Sequence, residues 1–154
     1  MKANKTYTLQ EAQIALEYYC SYQERSHQEV AQKLNKMGLI PQAIERITTS
    51  LLQNDFLNEE RFAKSFARGK FRINKWGRIK IKQHLHQKGV SKANIIIGLL
   101  EINEEEYLQT LHELAKKKSN LMKDNNVYKR KQKLIQYLYQ KGFETNLIYE
   151  FVLN

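Results

Sequence analysis

The sequence predicts an all-α protein: three tandem three-helix repeats in an elongated, curved arrangement. Three observations lead there. Gly38, Gly89 and Gly142 lie 51 and 53 residues apart, and matched apolar residues surround each of them. A single proline in 154 residues leaves long stretches free of helix breakers. No segment shows the sustained apolar–polar alternation between turn residues that marks a strand.

The glycine register has a direct physical meaning. Leu34, Leu85 and Leu138 stand four residues before the glycines, and Val30, Ile81 and Leu134 stand eight before. Residues four apart share one helix face, so each pair is a buried stripe. A glycine four residues past the stripe suits the left-handed position that ends a helix. Ile44, Ile95 and Ile148, six residues further on, open the apolar face of the next helix.

The remaining elements follow in chain order. Thr8 with Glu11 matches the capping box and starts a helix over 8–24; Ser26 with Glu29 does the same for 27–37. Pro41 suits the first turn of a helix over 41–53. Asn58 caps a helix over 59–73, which is followed by one over 77–88 that stops at Gly89. Ser91 caps 92–100, and Asn103 with Glu106, a looser box, begins 104–121. Asp124, Asn125 and Asn126 read as a flexible turn before helices over 127–141 and 145–153. Grouping these gives repeats over 8–56, 58–101 and 103–154, with neighbour packing on neighbour.

Composition narrows the function classes. The formal net charge is +10, which points to nucleic acid, an acidic membrane surface or an acidic protein. No apolar run approaches the roughly 20 residues of a spanning helix, and residues 1–7 are polar without a signal-peptide core. Cys20 is the single cysteine, so neither an internal disulfide nor a cysteine metal cluster is available. A cytoplasmic protein away from membranes is expected.

The charge is localised. Residues 1–60 hold six Lys/Arg against eight Asp/Glu, residues 61–100 hold eleven against none, and residues 101–154 hold nine against eight. The whole excess therefore belongs to the middle repeat. Within it, Arg61, Lys64, Arg68 and Arg72 follow helical steps of three and four beside an apolar stripe of Phe62, Phe66 and Ile73. Lys70, Lys75, Arg78, Lys80 and Lys82 surround Trp76. Basic residues interleaved with an aromatic suit a phosphate backbone and a stacked base. Trp76 fits packing between helices equally well. Unmixed charge repels itself, so a stretch this long without a carboxylate points to a polyanion or an acidic partner rather than to solvation alone. A second run, Lys116, Lys117 and Lys118 with Lys123, Lys129, Arg130, Lys131 and Lys133, is interrupted by Asp124 and fits either a second patch or solvated surface.

No catalytic constellation is expected. There is no phosphate-binding glycine loop. His84 and His86 are two residues apart and point to different faces of a helix, which excludes chelation of one metal by the pair. Glu59 and Glu60 sit where a helix N-terminus favours them. The chain is read as a non-enzyme without cofactor or metal.

Two segments carry a resemblance. Asn58-Glu59-Glu60-Arg61-Phe62-Ala63-Lys64-Ser65-Phe66, followed by Trp76-Gly77-Arg78-Ile79-Lys80-Ile81 and on to Leu85 and Lys88-Gly89-Val90, resembles the RecX family. That family shows an acidic pair, Arg-Phe-Ala, a basic stretch, an aromatic-Gly pair and a basic-Gly stop. Ser26 through Val30, Lys36-Met37-Gly38 and Asp55-Phe56-Leu57 look like its first repeat. Trp76 stands where the family often has tyrosine, and Arg78 where it often has proline.

The resemblance implies tandem three-helix repeats and a regulator of RecA recombinase in DNA repair and the SOS response. Such proteins bind along the groove of the RecA–single-stranded DNA filament, where they block its extension and restrain ATP hydrolysis and strand exchange. On that reading Arg61, Lys64, Arg68, Lys70, Arg72, Lys75, Trp76, Arg78, Lys80 and Lys82 make the contact to RecA or DNA, in a protein expected to be a monomer. Arg68, Arg72 and Arg78 are the first choices, because guanidinium pairs bidentately with phosphate or carboxylate. The competing expectation is a helical protein that binds nucleic acid directly, without RecA. A third is an adaptor for an acidic protein.

Overall fold

The computed structural model describes residues 5–153; residues 1–4 and Asn154, the two ends of the segments read above, lie outside the described residues. Among these there are nine helices and no strand: α1 (Leu9–Tyr22), α2 (His27–Lys36), α3 (Pro41–Gln53), α4 (Glu59–Arg72), α5 (Arg78–Gln87), α6 (Lys92–Leu99), α7 (Glu104–Leu121), α8 (Val127–Gln140) and α9 (Thr145–Leu153).

Local chemistry sets these boundaries. Both capping boxes close, with Thr8 and Ser26 accepting from the amides of Glu11 and Glu29 while those glutamates accept in return. Asn58, Ser91 and Asn103 each accept from an amide three residues on. Gly38, Gly89 and Gly142 adopt φ of +82°, +79° and +98°, the left-handed stop read from the register. The Asp124–Asn126 turn is held by its own side chains: Asp124 Oδ1 accepts from the Asn126 amide, and Asn126 Oδ1 caps α8 through the Lys129 amide.

Two hydrophobic cores form. Ala12, Leu16, Cys20, Val30, Leu34, Ile47 and Leu51 close the first, within α1–α3. The second runs without a break from Phe62 and Phe71 through Ile81, Leu85 and Ile95 to Tyr107, Leu138, Phe143 and Ile148, so α4–α9 share one interior. Ile73 departs from expectation. It was placed in the apolar stripe of the middle repeat but is 81% exposed. Helix α4 ends at Arg72, and its buried stripe is Phe62, Ala63, Ala67 and Phe71. Ile73 is the cap residue beyond that face.

The molecule is extended. Its accessible surface is 10475 Å². A compact monomer of 18.3 kDa would expose about 8,100 Å². A row of small units covers itself less well than a sphere, which accounts for the excess. No described helix is long and apolar enough to cross a membrane.

Candidate functional site

The basic residues of the middle repeat divide into two sets. The first is tied into the fold. Arg61 Nε lies 2.5 Å from Glu24 Oε1 and its Nη1 3.2 Å from Asp55 Oδ1, while Nη2 donates to the Asp55 carbonyl at 2.9 Å. Glu24 follows α1, so Arg61 fastens the first repeat to α4. Lys64 pairs with Glu60 one turn back at 3.1 Å, and Arg68 with Glu101 at 2.6 Å.

Arg78 is the most engaged of this set. It lies 3.0 Å from Glu104 and 3.1 Å from Glu144, with its guanidinium carbon 3.9 Å from the Tyr107 ring centroid. The Tyr107 hydroxyl donates to Glu144 and accepts from the Arg78 amide at 3.0 Å. Burial, aided by the bond to Glu144, keeps that phenol protonated well above its ordinary range. Arg78 thereby locks α5 onto α7 and the start of α9. Beside it the Gly77 amide donates to the Lys141 carbonyl at 2.7 Å and the Ile79 amide to the Gly142 carbonyl at 3.0 Å.

The second set has no carboxylate partner within ion-pair distance among the described residues: Lys70, Arg72, Lys75, Lys80 and Lys82. Lys70 and Lys80 each lie against the Trp76 ring. Their ammonium nitrogens stand 4.9 and 4.6 Å from its ring centroid, and Lys70 also lies 5.5 Å from Phe66. Trp76 is half-buried, set edge-on to Phe66 and tilted against His84 at 4.4 Å. It is thus both a packing residue and the floor of a cation cluster, and the two readings of it are not exclusive. Arg72 and Lys75 lie apart from this cluster, in a groove shared with Glu105 and Glu106 of α7. Lys82 is exposed on α5.

Three further residues join the cluster. His84 lies tilted against Trp76. Burial lowers its pKa, and Lys80, Lys70 and Lys88 lower it further, so the imidazole is neutral near pH 7. Lys88 lies 5.9 Å from the Phe66 ring. Lys141, from α8's end, donates to the Asn74 carbonyl at 2.8 Å; burial and Lys80 lower its pKa. Lys80, His84 and Lys88 follow helical steps of four, a signal readable in the sequence. Lys141 arrives from 67 residues beyond its partner Asn74 and has no such signal. Ammonium groups held against aromatic faces without counter-charge have the chemistry to pair with an anion such as a phosphate.

Comparison with known proteins gives a consistent answer. Residues 58–96 match the model of the second three-helix domain of RecX, and residues 104–152 that of the third. The regulatory protein RecX of Lactobacillus johnsonii is 32% identical over 135 residues, which is 88% of this chain and 49% of that protein. That of Clostridium perfringens is 34% identical over 121 residues, 77% of this chain and 56% of that protein. The chain spans about half the length of the curated relatives it matches. Among solved structures, RecX from Lactobacillus salivarius superposes with a TM-score of 0.83 at 25% identity, covering 94% of each chain.

Proposed function

The chain belongs to the RecX family, and from that premise we propose that it regulates RecA by binding the RecA–single-stranded DNA filament and restraining its extension, ATP hydrolysis and strand exchange. One observation carries this reading: the unpaired cations Lys70 and Lys80 set against the Trp76 ring. Arg72, Lys75 and Lys82 extend the contact. Arg61, Lys64, Arg68 and Arg78 serve it indirectly, by holding the repeats in the relative positions that present it. The extended row of repeats suits a groove rather than a pocket. In this role the protein acts as a monomer, without catalysis of its own and without a cofactor.

The test is RecA ATPase activity on single-stranded DNA, with this protein titrated in at ratios well below one per RecA. Inhibition at such ratios supports binding along or at the end of filaments. Absence of any effect, together with salt-sensitive binding to naked DNA, replaces this reading with direct nucleic-acid binding. Contact with three to five phosphates of a single strand gives a log–log salt slope of about −2 to −3.5.

A further inference from the structure

The first repeat has a net charge of −2 over residues 1–60, and its segment total hides a local surface of the opposite character. Ala15, Tyr18, Tyr19 and Tyr22 recur at steps of three, one and three, which places them on one face of α1. Tyr18 and Tyr22 are 73% and 74% exposed, so their rings are not spent on the core. Tyr19 is half-buried against that core and carries the Arg25 guanidinium, whose carbon is 3.6 Å from the ring centroid. Arg25 Nε donates to the Tyr19 carbonyl at 2.9 Å, which holds the cation in place, 6.0 Å from the Tyr22 ring. Lys33 of α2 brings a second cation, 5.6 Å from Tyr19.

These groups line a shallow depression of about 410 Å³ that contains no carboxylate. Neither Arg25 nor Lys33 forms an ion pair among the described residues. Glu29, the carboxylate that acts on Tyr19, is occupied at the cap of α2 by the Ser26 amide. The combination is exposed aromatic faces one helical turn apart, about 6 Å along the axis, beside fixed cations without counter-charge.

We propose that this face of the first repeat is a second binding site, a stacking platform for single-stranded nucleic acid, with bases on Tyr18 and Tyr22 and phosphates on Arg25 and Lys33. Planar groups joined by regularly spaced negative charges are the ligand that uses both chemistries at once. The site goes beyond the filament reading and does not depend on RecA.

The experiment uses the full chain and a fluorescein-labelled oligo(dT), with an abasic oligonucleotide of the same length for comparison, both followed by anisotropy. Wild-type protein binds oligo(dT) about tenfold more tightly than the abasic strand. The double variant Tyr18→Ala/Tyr22→Ala binds both alike, with its melting temperature and salt slope unchanged, because the rings are exposed and uncharged. Lys33→Glu makes the salt slope shallower by about 0.7 while keeping the preference for bases. Equal wild-type affinity for the two strands, or no binding to either, overturns the proposal. So does a double variant that keeps its preference for oligo(dT). A double variant that binds oligo(dT) normally but no longer co-sediments with RecA filaments makes this face a protein contact, which also overturns it. The substitutions leave Lys70, Trp76 and Lys80 intact, so failure here is separable from failure of the filament reading.

Discussion

Gly77 and Gly142 meet backbone to backbone. A Cβ on Gly77 would stand 2.3 Å from the carbonyl carbon of Gly142, and one on Gly142 would stand 2.3 Å from Lys80 Cβ. The start of α5 can approach the end of α8 this closely, and donate two backbone hydrogen bonds to it, only because neither residue carries a side chain.

Gly77→Ala tests this junction without confounding strain, since Gly77 has an ordinary φ of −76°. It should cost about 2–4 kcal/mol through overpacking and a lengthened hydrogen bond. Gly89→Ala gives the complementary case: open space around the added Cβ, but φ +79°, so a cost of about 1–2 kcal/mol from the left-handed backbone alone. Urea unfolding followed by Trp76 fluorescence measures both. A Gly77 variant no less stable than the Gly89 variant would show that the junction tolerates a side chain.

The two cores should unfold separately. Cys20 lies in the first core and Trp76 packs against the second. Burial pushes the Cys20 thiol up to about 11, so in the native state it resists disulfide reagents near pH 8. Labelling of Cys20 across a urea series should come at lower denaturant than the Trp76 fluorescence change, because the first repeat has the smaller core and is held to α4 by polar contacts. Coincident transitions would mean that the Arg61–Glu24 tether makes the whole chain one cooperative unit.

His84 should report on anion binding. Its folded pKa lies below the ordinary value of about 6.5 because of burial and the lysines around it. The neutral form is favoured by folding, so this contribution to stability is present above that value and is lost as pH falls through the folded pKa. A polyanion over Lys70 and Lys80 offsets the lysines and raises the pKa, with proton uptake on binding. Proton NMR of the imidazole with and without oligonucleotide measures this. An unchanged pKa at saturation would place the ligand elsewhere.

The two sets of basic residues should separate in mutation. Lys70→Glu with Lys80→Glu should weaken filament co-sedimentation at least tenfold and make the salt slope shallower by about 1.4, about 0.7 for each lysine on a single strand, while costing about 1 kcal/mol of stability through the lost cation–π contacts to Trp76. Arg78→Ala should instead cost about 2 kcal/mol of stability, through the hydrogen bond it makes to Glu104 and its ion pair with Glu144. Equal binding defects at equal stability in the two variants would remove the distinction.

Much of the fold was legible because it is local. Caps, glycine stops and apolar stripes act within a few residues, and the helices begin and end within two residues of where those signals put them. The same locality misled in one place. Ile73 continues the spacing of Phe62 and Phe66, but the helix stops before the spacing can bury it.

By itself the sequence determined the class, the nine helices among the described residues, the repeat and the family, since each is written in short-range spacing. It also placed the excess charge in the middle repeat, but not which charges are free. Within residues 61–100 there is no carboxylate, yet Glu24 and Asp55 from one side and Glu101, Glu104 and Glu144 from the other reach in to pair Arg61, Arg68 and Arg78. Tertiary structure alone decided that, as it decided that the second and third repeats share a core while the first keeps its own. Ion pairing and burial depend on distance in space, and a count along the chain cannot see a partner that folding delivers from another repeat.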